Sequence, residues 1–307
     1  MPLVSVIIPA YNSGPYLDEA VRSVIAQTFT DWECIVVDDG STEDLSRVEK
    51  MDSRVRLIRQ PNRGVSAARN NGILATSSEY VAFLDHDDLW FPGKLEKQAA
   101  ILAADPAVGL CYTGFDIMDK DGLRVGPGWG GNCKNYCDAL RDAAGSVASF
   151  TMVRRALFAA TGLFDPLFPL VQDYDLNLRF ARVCKLHFVP EILGYYRRHA
   201  GNASSDFAAT LPEANHALRA HALPANEKRF PGVGNAVAAG CRANRRALGV
   251  QAYEAARASA RQRKLRQFAG RLAVALAWNP PFTLRALAKF PAQRISRLVR
   301  PSRPPTE

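Results

Sequence analysis

Four short apolar runs, each closed by turn-forming or acidic residues and followed by a helical pattern, constrain the fold of this chain more than any other feature. They are Val4-Ser5-Val6-Ile7-Ile8, Cys34-Ile35-Val36-Val37, Val55 to Ile58 and Tyr80 to Leu84. Short apolar strands that alternate with amphipathic helices build a mostly parallel sheet with helices on its faces. The first run reads as ended by Pro9. Asn12, Ser13 and Gly14 then turn, and Pro15 opens a helix in which Leu17, Ala20, Val21, Val24 and Ile25 recur at helical spacing. The pattern predicts an α/β fold. In open sheets of this kind ligands settle at the carboxyl ends of the strands, where Asp38-Asp39 follow the second run and Asp85-His86-Asp87-Asp88 the fourth.

Further along, Val108 to Val125 reads as strands around the turn Asp119-Lys120-Asp121-Gly122, and Gly126 to Gly131 as a mobile loop around Trp129. Ser149 to Val153 is strand-like, Arg155 to Thr161 helical, Gly162 to Pro166 a turn, Tyr174 to Ala181 helical and Ile192 to Tyr196 a strand. After Asn202 the segments are helical and rich in alanine and arginine, punctuated by Pro224, Pro231 and Pro280-Pro281. We place a boundary at 205, with a basic helical extension over 206–307 whose proline-rich end, from Pro301, reads as disordered.

The 307 residues, 48% of them hydrophobic, support a sizeable core. Charge is unevenly placed: residues 1–200 carry 21 basic and 25 acidic side chains, residues 201–307 carry 18 and 5. Arg257 to Thr306 holds twelve basic residues and no acidic one, which suits either peripheral contact with an anionic membrane through 257–303 or a solvated helical tail. Phe268 to Trp278 is apolar but too short to span a bilayer, so any lipid contact is interfacial. Six scattered cysteines and the lack of a leader segment predict a cytoplasmic protein, peripheral on the inner face of the cell membrane if the tail meets lipid. Cys133 and Cys137 lack a second ligand pair for zinc.

Three aspartates within four residues repel one another unless a cation offsets their charge. Mn²⁺ or Mg²⁺ does so by taking one or two protein carboxylates together with water and phosphate oxygens. The plainer reading, in which Asp88 caps a helix opened by Pro92, accounts for one aspartate of the three. The cluster follows Pro9-Ala10-Tyr11-Asn12, Val37-Asp38-Asp39-Gly40-Ser41 and Gly64-Val65-Ser66-Ala67-Ala68-Arg69-Asn70, in that order. Phe164-Asp165, Gln172-Asp173-Tyr174-Asp175-Leu176 and Tyr195-Tyr196-Arg197-Arg198-His199 come after it. Together these motifs resemble the family 2 glycosyltransferases, over about residues 3–205.

The resemblance implies a GT-A fold, with a nucleotide-binding half at 1–105 and an acceptor half at 106–205. It implies an inverting transfer from a nucleotide-diphosphate sugar, UDP foremost, to a hydroxyl of a glycan or lipid-linked acceptor, as in surface polysaccharide synthesis. Tyr11 would lie against the base, Pro9 would offer backbone contact, and Asp39 would accept the imide N–H of uracil. Arg69 would sit near the nucleotide, Asp85 at the ribose or the metal, Asp87 on the metal and Asp88 either behind the metal ligands or near the sugar, with His199 at the diphosphate or metal. Asp173 would be the general base, beside Gln172 where the family commonly has glutamate. A catalytically degenerate sugar-nucleotide binder and a nucleotidyltransferase remain as alternatives, the latter without a triphosphate loop after Pro9. No nucleic-acid partner is expected, since nucleic-acid binding has no use for the aspartates.

Overall fold

The computed structural model of the chain describes residues 1–128, 133, 135–141, 147–199, 201, 202, 206–262 and 264–288. Nine strands form one sheet: β1 (Val4–Ala10), β2 (Trp32–Asp38), β3 (Val55–Arg59), β4 (Tyr80–Phe83), β5 (Leu89–Trp90), β6 (Val108–Asp119), β7 (Arg124–Pro127), β8 (Thr151–Arg154) and β9 (Lys185–Arg198). Their order is β3-β2-β1-β4-β8-β6-β9-β5, with β7 paired to β6. The first four are mutually parallel, as their apolar runs predict. β8 enters antiparallel between β4 and β6, and β9 then runs parallel to β6.

The reason for the continuous apolar runs is visible in the register. Ile7, Ile35, Val37, Val81 and Phe83 face one buried cluster, while Val4, Val6, Ile8, Cys34, Val36 and Ala82 face another. The second cluster is covered by α1 (Tyr16–Ile25), through Leu17, Ala20, Val21 and Val24, and by α3 (Lys94–Ala104), through Leu95, Ala99 and Leu102. Each fully buried leucine or valine adds roughly 1.5–3 kcal/mol. The first cluster is covered by α2 (Val65–Leu74), α4 (Tyr136–Arg141), α5 (Leu157–Thr161) and α6 (Gln172–Ala181).

Strand β1 does not end at Pro9 but runs to Ala10. The carbonyls of Leu3 and Ile7 accept from Tyr80 and Leu84, so odd-numbered residues of β1 present their polar groups towards β4. Pairing with β4 stops at Ile7, so the N–H that proline lacks costs no ladder bond.

Beyond residue 205 the helices are α7 (Phe207–Arg219), α8 (Pro224–Arg229), α9 (Val233–Arg261), α10 (Leu265–Trp278) and α11 (Pro280–Ala288). Ala214, Ala217 and Leu218 of α7, and Val233, Ala236 and Val237 of α9, are buried in the same cluster as Ile7 and Phe83. Among the described residues no helix is long and apolar enough to cross a membrane. The loop around Trp129 lies mostly outside the described residues, as do residues 289–307.

Candidate functional site

Because β1, β2 and β4 are parallel, the segments after them leave the sheet on one edge: Tyr11-Asn12, Asp39 to Ser41 and Asp85 to Asp88. β8 is antiparallel to β4, so the residues before it, Ala148 and Ser149, reach the same edge. The first turn of α6 adds Asp173, and the end of β9 adds Arg197 to His199.

The acidic cluster is held from several directions. Asp85 receives Arg69 Nη2 at 2.5 Å, and its own N–H donates to Ser149 Oγ at 3.0 Å. Asp87 Oδ2 lies 2.8 Å from His199 Nε2 and accepts from Asn202 Nδ2 at 3.3 Å. The Gly201 N–H donates to His199 Nδ1 at 3.1 Å, which puts the proton of a neutral ring on Nε2, facing Asp87.

Asp88 is not a helix cap. Leu89-Trp90 form a two-residue strand, and α3 begins at Lys94 with Gly93 at its N-cap. Asp88 is fully buried, and its Oδ1 accepts the Arg197 N–H at 2.9 Å. Burial, then repulsion from Asp87 and Asp85, push its carboxyl well above the usual carboxylate range. Arg197, placed by its sequence context at the diphosphate or in water, is also buried. Its Nε donates to the Asp87 carbonyl at 2.8 Å, its Nη2 meets Glu19 at 2.6 Å, and its guanidinium lies over Tyr16.

Asp173 accepts the Ala148 N–H through Oδ2 at 3.2 Å and the Tyr174 N–H through Oδ1 at 2.8 Å. Consecutive residues, Ala148 and Ser149, therefore tie Asp173 and Asp85 to one stretch of backbone. Burial pushes the Asp173 carboxyl up, the charge of Arg69 opposes this, and Asp85 adds to it. Arg69 is 2% exposed; among the described residues its Nε and Nη1 have no hydrogen-bond partner. Gln172 is buried with Oε1 similarly unpartnered, so a glutamate there would bring a second charge into the dry surroundings of Asp173.

At the carboxyl end of β1 Tyr11 is half-exposed and Pro9 buried. Asp39 accepts from Gln60 Nε2 at 2.6 Å and from the Arg63 and Gly64 N–H groups at 2.8 Å each. A carboxylate offers about four acceptor positions, so roughly one is left for a ligand. Gly40 holds φ at +80°, and a Cβ on it would stand 2.8 Å from the Asn62 nitrogen, which is why the turn needs glycine.

The structure thus brings together Asp85, Asp87, Asp88, Arg69, Asp173 and His199, with Pro9, Tyr11 and Asp39 on the neighbouring strand ends. Sequence reading missed Ser149, for it lies in an apolar stretch with no local signal. It also missed the clamp by which Asn70 bonds the Phe164 N–H and carbonyl, both at 2.9 Å, setting that ring 5.2 Å from the Arg69 guanidinium.

Among the described residues no group of three or more His, Cys, Asp or Glu side chains forms a ready metal cage. A hard divalent cation asks less of the protein, one or two carboxylates with the remainder from water and phosphate. Asp85 and Asp87, with His199 beside them, meet that demand, and the repulsion from both that adds to burial in raising Asp88 marks negative charge which a cation would offset. The residues fit the ion.

The family model for glycosyl transferase family 2 matches residues 5–161, which carry Asp39, Arg69 and the acidic cluster. A glycosyltransferase of Nostoc sp. is 40% identical over 228 residues, covering 68% of this chain and 69% of its own length. The chain spans only 37% of the length of two rickettsial glycosyltransferases that it matches at 32 and 33% identity. Staphylococcus aureus TarS 1-349 in complex with UDP-GlcNAc superposes with a TM-score of 0.57 at 18% identity, over 89% of this chain and 91% of its own. The mannosyltransferase PcManGT from Pyrobaculum calidifontis, in complex with GDP-Man and Mn²⁺, gives 0.59 at 19% identity over 97% and 83%. These superpositions give the GT-A fold. On the family match and its relatives, the chain belongs to glycosyl transferase family 2.

Proposed function

We propose that the chain transfers a sugar from a UDP-sugar to a hydroxyl of a glycan or lipid-linked acceptor, with inversion at the anomeric carbon. The observation that carries this reading is the convergence of Asp85 and Asp173 near Arg69 and on the adjacent Ser149 hydroxyl and Ala148 N–H, beside Asp87. In this reading the Asp85-Asp87 pair meets the diphosphate, and Asp173, a separate half-buried carboxylate, meets the acceptor. Structural neighbours in complex with UDP-GlcNAc, and with GDP-Man and Mn²⁺, support a sugar-nucleotide donor.

Asp173 accepts the proton of the acceptor hydroxyl as its oxygen attacks the anomeric carbon. Its raised pKa makes it a better base near neutrality than an exposed aspartate would be. The two fixed N–H donors from Ala148 and Tyr174 orient it, and the charge of Arg69 favours its ionised form against burial. Asp39 receives the imide N–H of uracil at its remaining acceptor position, and Tyr11 lies against the base. Asp87 and Asp85 would hold Mn²⁺ or Mg²⁺, with His199 orienting Asp87 through its Nε2–H, and the bound ion would supply Lewis-acid stabilisation of the diphosphate leaving group.

Calorimetry across UDP-, GDP- and dTDP-sugars, with Mn²⁺, Mg²⁺ or EDTA, tests the reading. Metal-dependent binding of the UDP-sugar, lost in Asp87→Ala, is expected; silence of the folded wild type across the panel refutes it.

A further inference from the structure

An open cavity lies away from the acidic cluster, at the opposite edge of the sheet, where β6 and β9 begin and β8 ends, with a volume of about 720 Å³. That volume suits a small organic ligand. Its walls carry four cations, Arg154, Arg182, Lys185 and Arg229, and no carboxylate.

Two of the four are already engaged. Arg154 bonds the carbonyls of Val108 and Leu102 and pairs with Glu79, and Lys185 reaches Asp105 at 3.3 Å. Arg182 and Arg229 have no carboxylate within ion-pair distance among the described residues. Arg179, one turn before Arg182 on the same helix, is paired with Asp175 at 2.7 Å, so the absence at 182 is specific to the cavity. What Arg182 faces is neutral: its charge acts on the buried pair Tyr136 and His221, whose Oη and Nδ1 lie 2.6 Å apart. Between the cations the wall is apolar, with Leu157, Val183, Phe230 and Pro231.

We infer that this cavity binds a phosphate-bearing amphiphile, the phosphate between Arg182 and Arg229 and the apolar body against Leu157 and Phe230. Two guanidinium groups without a carboxylate partner among the described residues, the half-buried Arg182 and the exposed Arg229 over Phe230, beside a neutral wall favour a phosphate, which can accept from both. The apolar wall separates an alkyl phosphate from the free ion, since each buried methylene adds about 0.8 kcal/mol. The edge is remote from Asp87 and Asp173, so occupancy does not exclude a donor.

The test is calorimetry on the full chain with three probes: inorganic phosphate, dodecyl phosphate below its micellar concentration, and octyl glucoside as a neutral amphiphile. Dodecyl phosphate is expected to bind at least about tenfold more tightly than either of the others. Arg182→Ala and Arg229→Ala should each weaken it about tenfold, at an unchanged melting temperature. Equal binding of dodecyl phosphate by the wild type and the double variant overturns the site. Equal binding of octyl glucoside overturns the role of charge, and equal binding of inorganic phosphate overturns that of the apolar wall.

Discussion

His221 provides a titration that can be worked through in numbers. It is 4% exposed, its Nδ1 meets Tyr136 Oη at 2.6 Å, and Asn226 Nδ2 donates to its carbonyl at 2.9 Å. Burial, then the charges of Arg182 and Arg179, push its pKa down to about 4 from the ordinary 6.5. The folded state therefore resists a proton that the unfolded chain takes up once the pH falls below 6.5. Stability supplied by neutral His221 is complete above that value and is lost progressively down to about 4. A difference of about 2.5 pKa units at 1.36 kcal/mol each gives about 3 kcal/mol lost by pH 4. His221→Asn keeps an acceptor for Tyr136 and removes the titration. Urea unfolding of both proteins between pH 7.5 and 4 should show the wild type falling about 3 kcal/mol relative to the variant across that window. Parallel profiles would refute the reasoning.

Asp173→Asn should lower transfer by about 10²–10⁴-fold while donor affinity, read by calorimetry, is kept. The base must be ionised and burial disfavours that, so the acid limb of the kcat profile should lie above the ordinary carboxylate range, and Arg69→Gln should move it higher; a limb within that range counts against Asp173. A Cβ at position 240 would stand 1.9 Å from the Leu140 carbonyl oxygen, so Gly240→Ala should cost about 1–3 kcal/mol despite its better helix propensity, and an unchanged or raised melting temperature would contradict this packing. If the basic tail meets lipid, the full chain should float with anionic vesicles at low salt and release at high salt, whereas equal partitioning onto neutral vesicles would end that proposal.

The strand ends that carry Asp39 and the acidic cluster were legible because polar residues there follow apolar runs. The runs closing at Asp39 and at Asp85 are buried on both faces, and the change from apolar to acidic residues marks the sheet edge. The plainer capping reading of Asp88 fails for a nonlocal reason: the two residues of β5 are too few to register as a strand, and the Arg197 N–H that binds the carboxylate lies 109 positions on. The burial of Arg197 was hidden in the same way, since its partners are Glu19 and two main-chain carbonyls. The first half of β9, Lys185 to Val189, escaped notice because Lys185 and His187 break the apolar pattern that the parallel pairing with β6 does not need at an exposed end.

The bond from Arg197 to Asp88 also bears on the order in which the chain can assemble. A nascent chain ending at residue 161 would contain every residue of the family match, all four parallel strands and the whole acidic cluster. It would still lack the donor that Asp88 depends on and the guanidinium that holds the Asp87 carbonyl. Contacts this distant in sequence form late, after the intervening loop entropy has been overcome. Until β9 is synthesised and docks beside β6, Asp85 has Arg69 and Ser149, but Asp87 and Asp88 stand close to it without the partners that β9 brings. The last strand of the sheet is thus the latch on an acidic cluster written in the first third of the chain.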